Sequence, residues 1–147
     1  FNVFFNYEKI KAKNLDLNTV KKTFKDYLMT QEQVKRVYTE EEILADNGND
    51  YHLHCIARGY DTTQNGDLVL IDKPGYIEYG ATGTSHGTTY TYDTHVPLIF
   101  FGWNINPGNT SDRKVITEIA PTIAQKIGVS LPNGTEAHVL TEILDTK

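Results

Sequence analysis

The chain has 147 residues, of which 14 are basic and 19 acidic, giving a formal net charge of −5. A domain of this length buries roughly 70% of the surface of its unfolded chain, which is enough for a hydrophobic core. No run of Lys or Arg is longer than a pair and no apolar run approaches the ~20 residues of a membrane-spanning helix, so we expect neither nucleic acid nor membrane as a partner.

The first elements are predicted as a strand followed by a helix. The chain begins without a methionine, on an aromatic and β-branched stretch, residues 1–7, which is typical of a strand. This beginning suggests a piece of a longer protein. Asp16 stands where a helix N-cap would, before apolar residues that share one helical face. These are Leu17, Val20, Phe24 and Leu28.

A second strand and two short helices follow. Residues 33–38 alternate apolar and charged side chains as a half-exposed strand does. Thr39 and Glu42, three residues later, fit a capping box at the start of a helix. Asp50 then stands as the N-cap of another short helix, predicted over residues 51–57.

Two more strands are predicted further along the chain. Residues 67–71 are predicted as a strand, apolar after Asp67 and closed by a Lys-Pro-Gly turn. Residues 96–101 form an apolar run that we expect to be buried on both faces. Pro121 suits the first turn of a helix that ends at Gly128. Residues 136–144 are predicted as a last short helix.

A polar loop precedes the apolar run at residues 96–101. His86 lies in this loop between Ser85 and Gly87, on a turn that feeds a buried strand. Small residues on both sides let the backbone approach a ligand closely. This placement is how loops present metal ligands.

The loop also carries a family resemblance. Residues 84–87 read T-S-H-G and residues 92–102 read Y-D-T-H-V-P-L-I-F-F-G. Together they resemble the last active-site loop of the alkaline phosphatase superfamily. The similarity is greatest to its secreted bacterial zinc-dependent phosphatases with a threonine nucleophile, which are related to type I phosphodiesterases and nucleotide pyrophosphatases. Residues 116–134 are similar to the closing helix and loop of the superfamily, although Ala137 stands where many members have glycine.

The resemblance implies an α/β fold. Residues 76–147 would be the C-terminal part of an alkaline phosphatase-like α/β/α sandwich, and residues 1–75 a small α+β accessory part. It further implies a periplasmic or secreted enzyme that hydrolyses a phosphate monoester or diester through a covalent phosphoryl-enzyme at a two-zinc site. The present chain would be a fragment of that enzyme and inactive alone.

His86 is the predicted metal ligand. A neutral imidazole binds zinc at about 2.0–2.1 Å, and a catalytic zinc needs several protein donors besides an open position. No Asp-His pair or other motif with metal-ligand spacing occurs in residues 1–80. The resemblance therefore implies that the other ligands and the nucleophile lie upstream of Phe1.

Asp93 and His95 are candidates for a supporting role. They are two residues apart on predicted extended chain, which would place their side chains on one side. A carboxylate commonly fixes the tautomer of a ligating histidine, which is the reason to consider Asp93. The alternative is that both residues only stabilise the turn before Pro97.

Two other classes of function stay open. Residues 83–87 also satisfy G-x-S-x-G, and Ser85, Asp112 and His138 follow in the order of an α/β-hydrolase triad. A nucleophile elbow needs a strand before the serine and a helix after it, whereas residues 88–96 are poor in helix formers. The other alternative is a non-catalytic accessory module attached to a degenerate tail.

The remaining candidates have structural interpretations. His52 and His54 are two apart on a predicted helix, so they point to different faces and cannot share a metal. Cys55 is the single cysteine and is interpreted as a small buried residue. In a shortened chain the strand at residues 96–101 would lack neighbours, so we expect exposed apolar surface, self-association or disorder near residues 80–95.

Overall fold

The computed structural model describes residues 1–77 and 81–144. It forms two compact units, Phe1–His95 and a second unit that begins at Val96. The described elements of the first unit are β1 (Asn2–Val3), α1 (Tyr7–Ala12), α2 (Leu17–Met29), β2 (Val34–Thr39), α3 (Glu40–Leu44), α4 (Tyr51–Ala57), β3 (Leu68–Asp72) and α5 (Thr91–Thr94). The second unit contains α6 (Ile119–Ile127) and two 3₁₀ turns, Ile116–Glu118 and Thr141–Ile143. The predicted domain boundary between residues 75 and 76 stays a prediction.

The first unit is built on an antiparallel sheet in the order β1-β3-β2. The strands predicted at residues 33–38 and 67–71 are confirmed as β2 and β3. The alternation expected along β2 is broken by an irregularity in register between Val34 and Arg36. Because of it, Lys35 and Arg36 are both exposed while Val37 and Tyr38 are both buried.

The core lies on both faces of this sheet. Leu68 and Leu70 of β3 contribute to one face and Val69 and Ile71 to the other, as the period of two along a strand requires. Leu28 of α2 packs on the first face. Side chains of α3 and α4 cover the second face: Ile43, Leu53, Ile56 and Ala57.

The first seven residues differ from the predicted strand. β1 covers only Asn2–Val3, because the Phe5 N–H donates to the buried Asp67 carboxylate at 2.9 Å instead of to a neighbouring strand. The Asn6 side chain then caps α1, which the sequence analysis did not predict. The Tyr7 hydroxyl also donates to Asp67, and this hydrogen bond with partial burial raises the pKa of Tyr7 to about 12.

The predicted helix starts are confirmed. Asp16 accepts from the Thr19 N–H at 2.8 Å at the start of α2. Thr39 and Glu42 form the expected capping box of α3. Asp50 accepts from the first turn of α4, which has the predicted bounds.

The second unit contradicts one prediction and confirms others. Residues 96–101 do not form the predicted buried strand, because no strand of the described residues pairs with them. Most of their apolar side chains are exposed, as expected for a run without neighbours; Ile99 is 80% and Phe101 99% exposed. Pro121 lies in the first turn of α6, and Gly128 ends that helix with a left-handed φ of 73°.

The last predicted helix, residues 136–144, is reduced to the 3₁₀ turn Thr141–Ile143. Before this turn, the buried Leu140 N–H donates to the Thr122 hydroxyl of α6 at 2.8 Å. Lys114 also pairs with Glu142 at 2.6 Å, so side chains rather than a helical ladder fix the segment. Among the described residues, none of the helices has the length and apolar character needed to cross a membrane.

Candidate metal-binding loop

The loop that carries His86 belongs to the first unit. Residues 81–88 form neither helix nor strand. Gly83 and Gly87 have φ values of 115° and 109°, a region that other residues rarely adopt, and they turn the backbone on both sides of His86. The His86 ring is exposed, and in the described part of the chain no hydrogen bond engages it. Its nitrogens are therefore accessible to a ligand.

Asp93 holds the backbone directly after His86. Its Oδ2 atom accepts from the Gly87 N–H at 2.8 Å and from the Thr88 N–H at 2.5 Å. The bond from the Thr88 backbone lowers the pKa of Asp93 most, and the nearby His86 adds to the effect. Asp93 is thus an ionised brace for the loop, and a further role in supporting a ligating His86 stays a prediction.

The expected placement of Asp93 and His95 on one side of extended chain is wrong. Residues Thr91–Thr94 form the short helix α5, which His95 ends with its N–H donating to the Thr91 carbonyl at 2.9 Å. Residues two apart on a helix do not face each other. The turn is helical because the N–H groups of Asp93 and Thr94 donate to the Tyr90 carbonyl, each at 2.9 Å.

Tyr90 attaches the end of the loop to the sheet. Its ring packs against the core on the α4 face, and its hydroxyl donates to the Asp72 carbonyl at the end of β3 at 2.6 Å. Burial raises the pKa of the Tyr90 hydroxyl, which stays a donor. The loop and β3 border a cleft of about 670 Å³ whose lining includes Ser85, His86, Thr88, Tyr90, Tyr92 and Ile71.

The residues present fit one ligand of a metal site and not a complete one. Within residues 1–77 and 81–144, no group of three or more His, Cys, Asp and Glu side chains could hold a metal ion. A catalytic zinc has about three protein ligands and an open position. His86 offers one exposed nitrogen donor at the mouth of a cleft, which suits a ligand that completes a set supplied from elsewhere.

The serine-hydrolase alternative lacks its structural context. Ser85 lies in the irregular segment, with no helix directly after it, so no nucleophile elbow is formed. Asp112 and His138 are both exposed in the second unit, and in the part of the chain that the structure describes no hydrogen bond joins them. The order of the three residues along the chain is not matched by triad geometry.

The two histidines of α4 point to different partners, as predicted. His54 Nδ1 lies 2.7 Å from Asp46 Oδ2, and this contact lowers the pKa of Asp46. His52 Nδ1 lies 2.6 Å from the hydroxyl of Thr89, which is 37 residues away in the loop. The sequence contained no local signal for this second contact. Cys55, between them, is half-buried rather than fully buried.

No family model matches the chain. Over 98% of its length it is 30% identical to alkaline phosphatase PafA of Elizabethkingia meningoseptica, of which it spans 27%. It is 29% identical over 97% of its length to alkaline phosphatase PhoV of Synechococcus elongatus. It is also 30% identical, over 99% of its length, to a protein named calcium-transporting ATPase from Myroides odoratus. The chain spans about a quarter of the length of these three relatives.

The same similarity holds in three dimensions. The crystal structure of wild-type alkaline phosphatase PafA matches the chain with a TM-score of 0.88 at 28% identity. The match covers 99% of this chain and 28% of the PafA chain. The predicted α/β fold, as part of a larger alkaline phosphatase fold, is thereby confirmed.

Proposed function

Because the chain is related in sequence and in fold to the alkaline phosphatase superfamily, we propose that it is part of a metal-dependent phosphoric ester hydrolase in which His86 is a zinc ligand. The observation that supports this role is the state of the His86 ring. It is exposed beside a cleft, and in the described part of the chain it is not used in any internal hydrogen bond.

In this proposal the residues of the chain hold and orient one imidazole. Gly83 and Gly87 allow the sharp turns around His86, and Asp93 fixes the two N–H groups that follow it. When bound, zinc polarises a phosphate ester and lowers the pKa of a water ligand. The proposed reaction uses a covalent phosphoryl-enzyme whose hydroxyl nucleophile and remaining ligands lie outside these 147 residues.

The substrate class and location are part of the same proposal. We assign a phosphate monoester or diester as substrate, two zinc ions in the complete enzyme, and a periplasmic or secreted location. These assignments are supported by the resemblance of residues 83–102 and 116–134 to the bacterial phosphatases. The exposed apolar residues 96–101 would also favour self-association of the isolated chain.

The test uses the natural gene product that contains this chain, assayed on a chromogenic phosphate monoester and diester. We expect His86→Gln to release zinc and to lower kcat/KM by more than about 100-fold, since even outer partners of metal ligands are worth 10–100-fold. His54→Gln is the matched control, because His54 contacts Asp46 and does not line the cleft beside His86. Full activity and zinc content in His86→Gln would contradict the proposal.

The same assay distinguishes the serine-hydrolase alternative. Ser85→Ala and His138→Gln would abolish turnover if Ser85 were the nucleophile, whereas a metal phosphatase requires only His86 among these three. The isolated 147-residue chain is expected to have no phosphatase activity and to bind zinc weakly. Turnover by that chain, or tight zinc binding that raises its stability, would favour a self-contained site instead.

A further inference from the structure

The position of the His86 loop depends on side chains rather than on a backbone ladder. Residues 81–88 have no helical or strand hydrogen bonding, and Gly83 and Gly87 make the backbone conformationally permissive. The Asp93 brace is local, since it joins residues five and six positions apart. It shapes the loop but does not attach it to the rest of the unit.

In the part of the chain that the structure describes, attachment over a long distance comes from two adjacent residues at the end of the loop. Tyr90 donates to the Asp72 carbonyl of β3, and the Thr89 hydroxyl lies 2.6 Å from Nδ1 of His52 on α4. The rings of His52 and Tyr90 also meet edge to face, with centroids 5.1 Å apart. His52 therefore contacts both residues that connect the loop to the sheet and its covering helix.

A neighbouring lysine determines which ring nitrogen of His52 carries the proton. Lys35 Nζ lies 2.7 Å from His52 Nε2. An ammonium group only donates hydrogen bonds, so Nε2 must accept and be unprotonated. The single ring proton is then on Nδ1, from which it is donated to the Thr89 hydroxyl. The same ammonium lies 5.1 Å from the centroid of the Tyr90 ring.

We propose that His52 is a positioning residue that fixes the His86 loop through its Nδ1–H bond to Thr89, in the tautomer set by Lys35. The role in catalysis rests on the proposed function of His86, while the effect on the loop does not. His52 does not itself line the cleft, and its contact with the loop lies three residues after His86 along the chain. The accessory part of the fold thereby contributes to the geometry of the metal site.

The test measures amide hydrogen exchange of residues 86–90 in the natural gene product. Loss of one neutral hydrogen bond corresponds to about a five-fold change in an opening equilibrium. We expect His52→Ala to speed exchange at these amides by about that factor. In His52→Asn the side-chain amide would present a donor near the position of Nδ1. This variant should therefore keep most of the protection from exchange that His52→Ala loses. Thr89→Val removes the partner from the loop side and should act like His52→Ala.

Two controls separate a local from a general effect. His54 lies on α4, as His52 does, and Thr91 lies in the short helix α5. Neither His54→Ala nor Thr91→Val should change amide exchange at residues 86–90. In an active enzyme, His52→Ala should also lower kcat/KM by about ten-fold, with rescue by His52→Asn. Unchanged exchange in both His52→Ala and Thr89→Val, or an equal effect of His54→Ala, would overturn the proposal. Absence of zinc and activity in the wild type would contradict only the proposed function.

Discussion

β3 and residues 96–101 are similar in sequence and differ in structure. Both are short apolar runs bounded by turn-forming residues. β3 pairs with β1 on one side and β2 on the other, and Leu68 is fully buried. Residues 96–101 have no paired strand among the described residues, and Phe101 is 99% exposed. A buried strand is thus a property of its neighbours as much as of its own residues.

The difference agrees with the proposal that the chain is part of a larger phosphatase. An unpaired apolar run offers both backbone hydrogen bonds and apolar side chains to a further strand. The first unit, in contrast, has two apolar clusters around its own sheet. The two regions should therefore respond differently to equivalent substitutions.

The largest contrast is expected from removing one apolar side chain in each region. Leu68→Ala leaves a cavity at the centre of the sheet and should lower the free energy of unfolding by about 3–5 kcal/mol. Ile99→Ala, at a position that is 80% exposed, should change it by less than about 0.5 kcal/mol. Urea denaturation of the 147-residue chain measures both. Equal losses would mean that residues 96–101 are packed in solution.

The next contrast concerns association of the isolated chain. If the exposed run drives self-association, Phe101→Ser should weaken the dimerisation constant by about ten-fold or more, because a buried Phe contributes about 1.5–3 kcal/mol. Phe4→Ser is the control, since Phe4 is an exposed aromatic of the first unit. Sedimentation velocity over a range of concentrations compares them. A monomeric wild type, or equal effects of the two variants, would contradict this account of the surface.

A third contrast uses two glycines. A Cβ atom on Gly66 would lie 2.5 Å from the Val3 carbonyl oxygen, so Gly66→Ala should push β1 from the sheet and cost about 1–3 kcal/mol. Gly108→Ala meets no atom within 4 Å and should be neutral or slightly stabilising. Thermal unfolding of the two variants checks the difference. An unchanged stability of Gly66→Ala would show that β1 does not pack closely against Gly66.

The smallest expected effect is a dependence of the loop on pH. Partial burial and the positive charge of Lys35 lower the pKa of His52 below its usual 6.5. Arg36 acts in the same direction, and Asp50 opposes both. The rings of Tyr51 and Tyr90 also face His52.

The sign follows from the lowered pKa. In the folded chain the neutral imidazole accepts from Lys35, and its contribution to stability is fully present above the unfolded pKa of 6.5. That contribution is lost as the pH falls through the lower folded pKa. Amide exchange at residues 86–90, corrected for intrinsic rates, should therefore rise several-fold as the pH falls below 6.5 and through the lower pKa of folded His52. The rise should be absent in His52→Asn. An identical rise in exchange in His52→Asn would mean that a titratable group other than His52 causes the pH dependence.

Much of the first unit could be predicted from sequence because its signals are local. Caps at Asp16, Thr39 and Asp50 lie next to the helices they start, and β3 is an apolar run bounded by turns. The C-terminal end of β1 could not be predicted, since it depends on the Phe5 contact with Asp67, 62 residues away. The burial of residues 96–101 could not be predicted from the run alone, since it depends on neighbouring strands.

The site shows the same division. A histidine between small residues and glycine identified the candidate ligand, and its exposure in the structure agrees with that role. The extended chain expected at Asp93 and His95 was wrong, because the Tyr90 carbonyl accepts the hydrogen bonds that start a helical turn. The contact of His52 with Thr89 joins α4 to the loop, and no sequence motif connects these two segments. It could therefore be identified only from the structure.

The most direct test of the central claim is to locate the metal. Anomalous diffraction at the zinc absorption edge, on crystals of the natural gene product grown with zinc, shows the ion and its ligands. The account predicts a zinc ion at about 2.0–2.1 Å from a ring nitrogen of His86, with the other ligands supplied from outside these residues. A fully occupied metal site that His86 does not contact, or a His86 ring buried against protein with no opening, would contradict it.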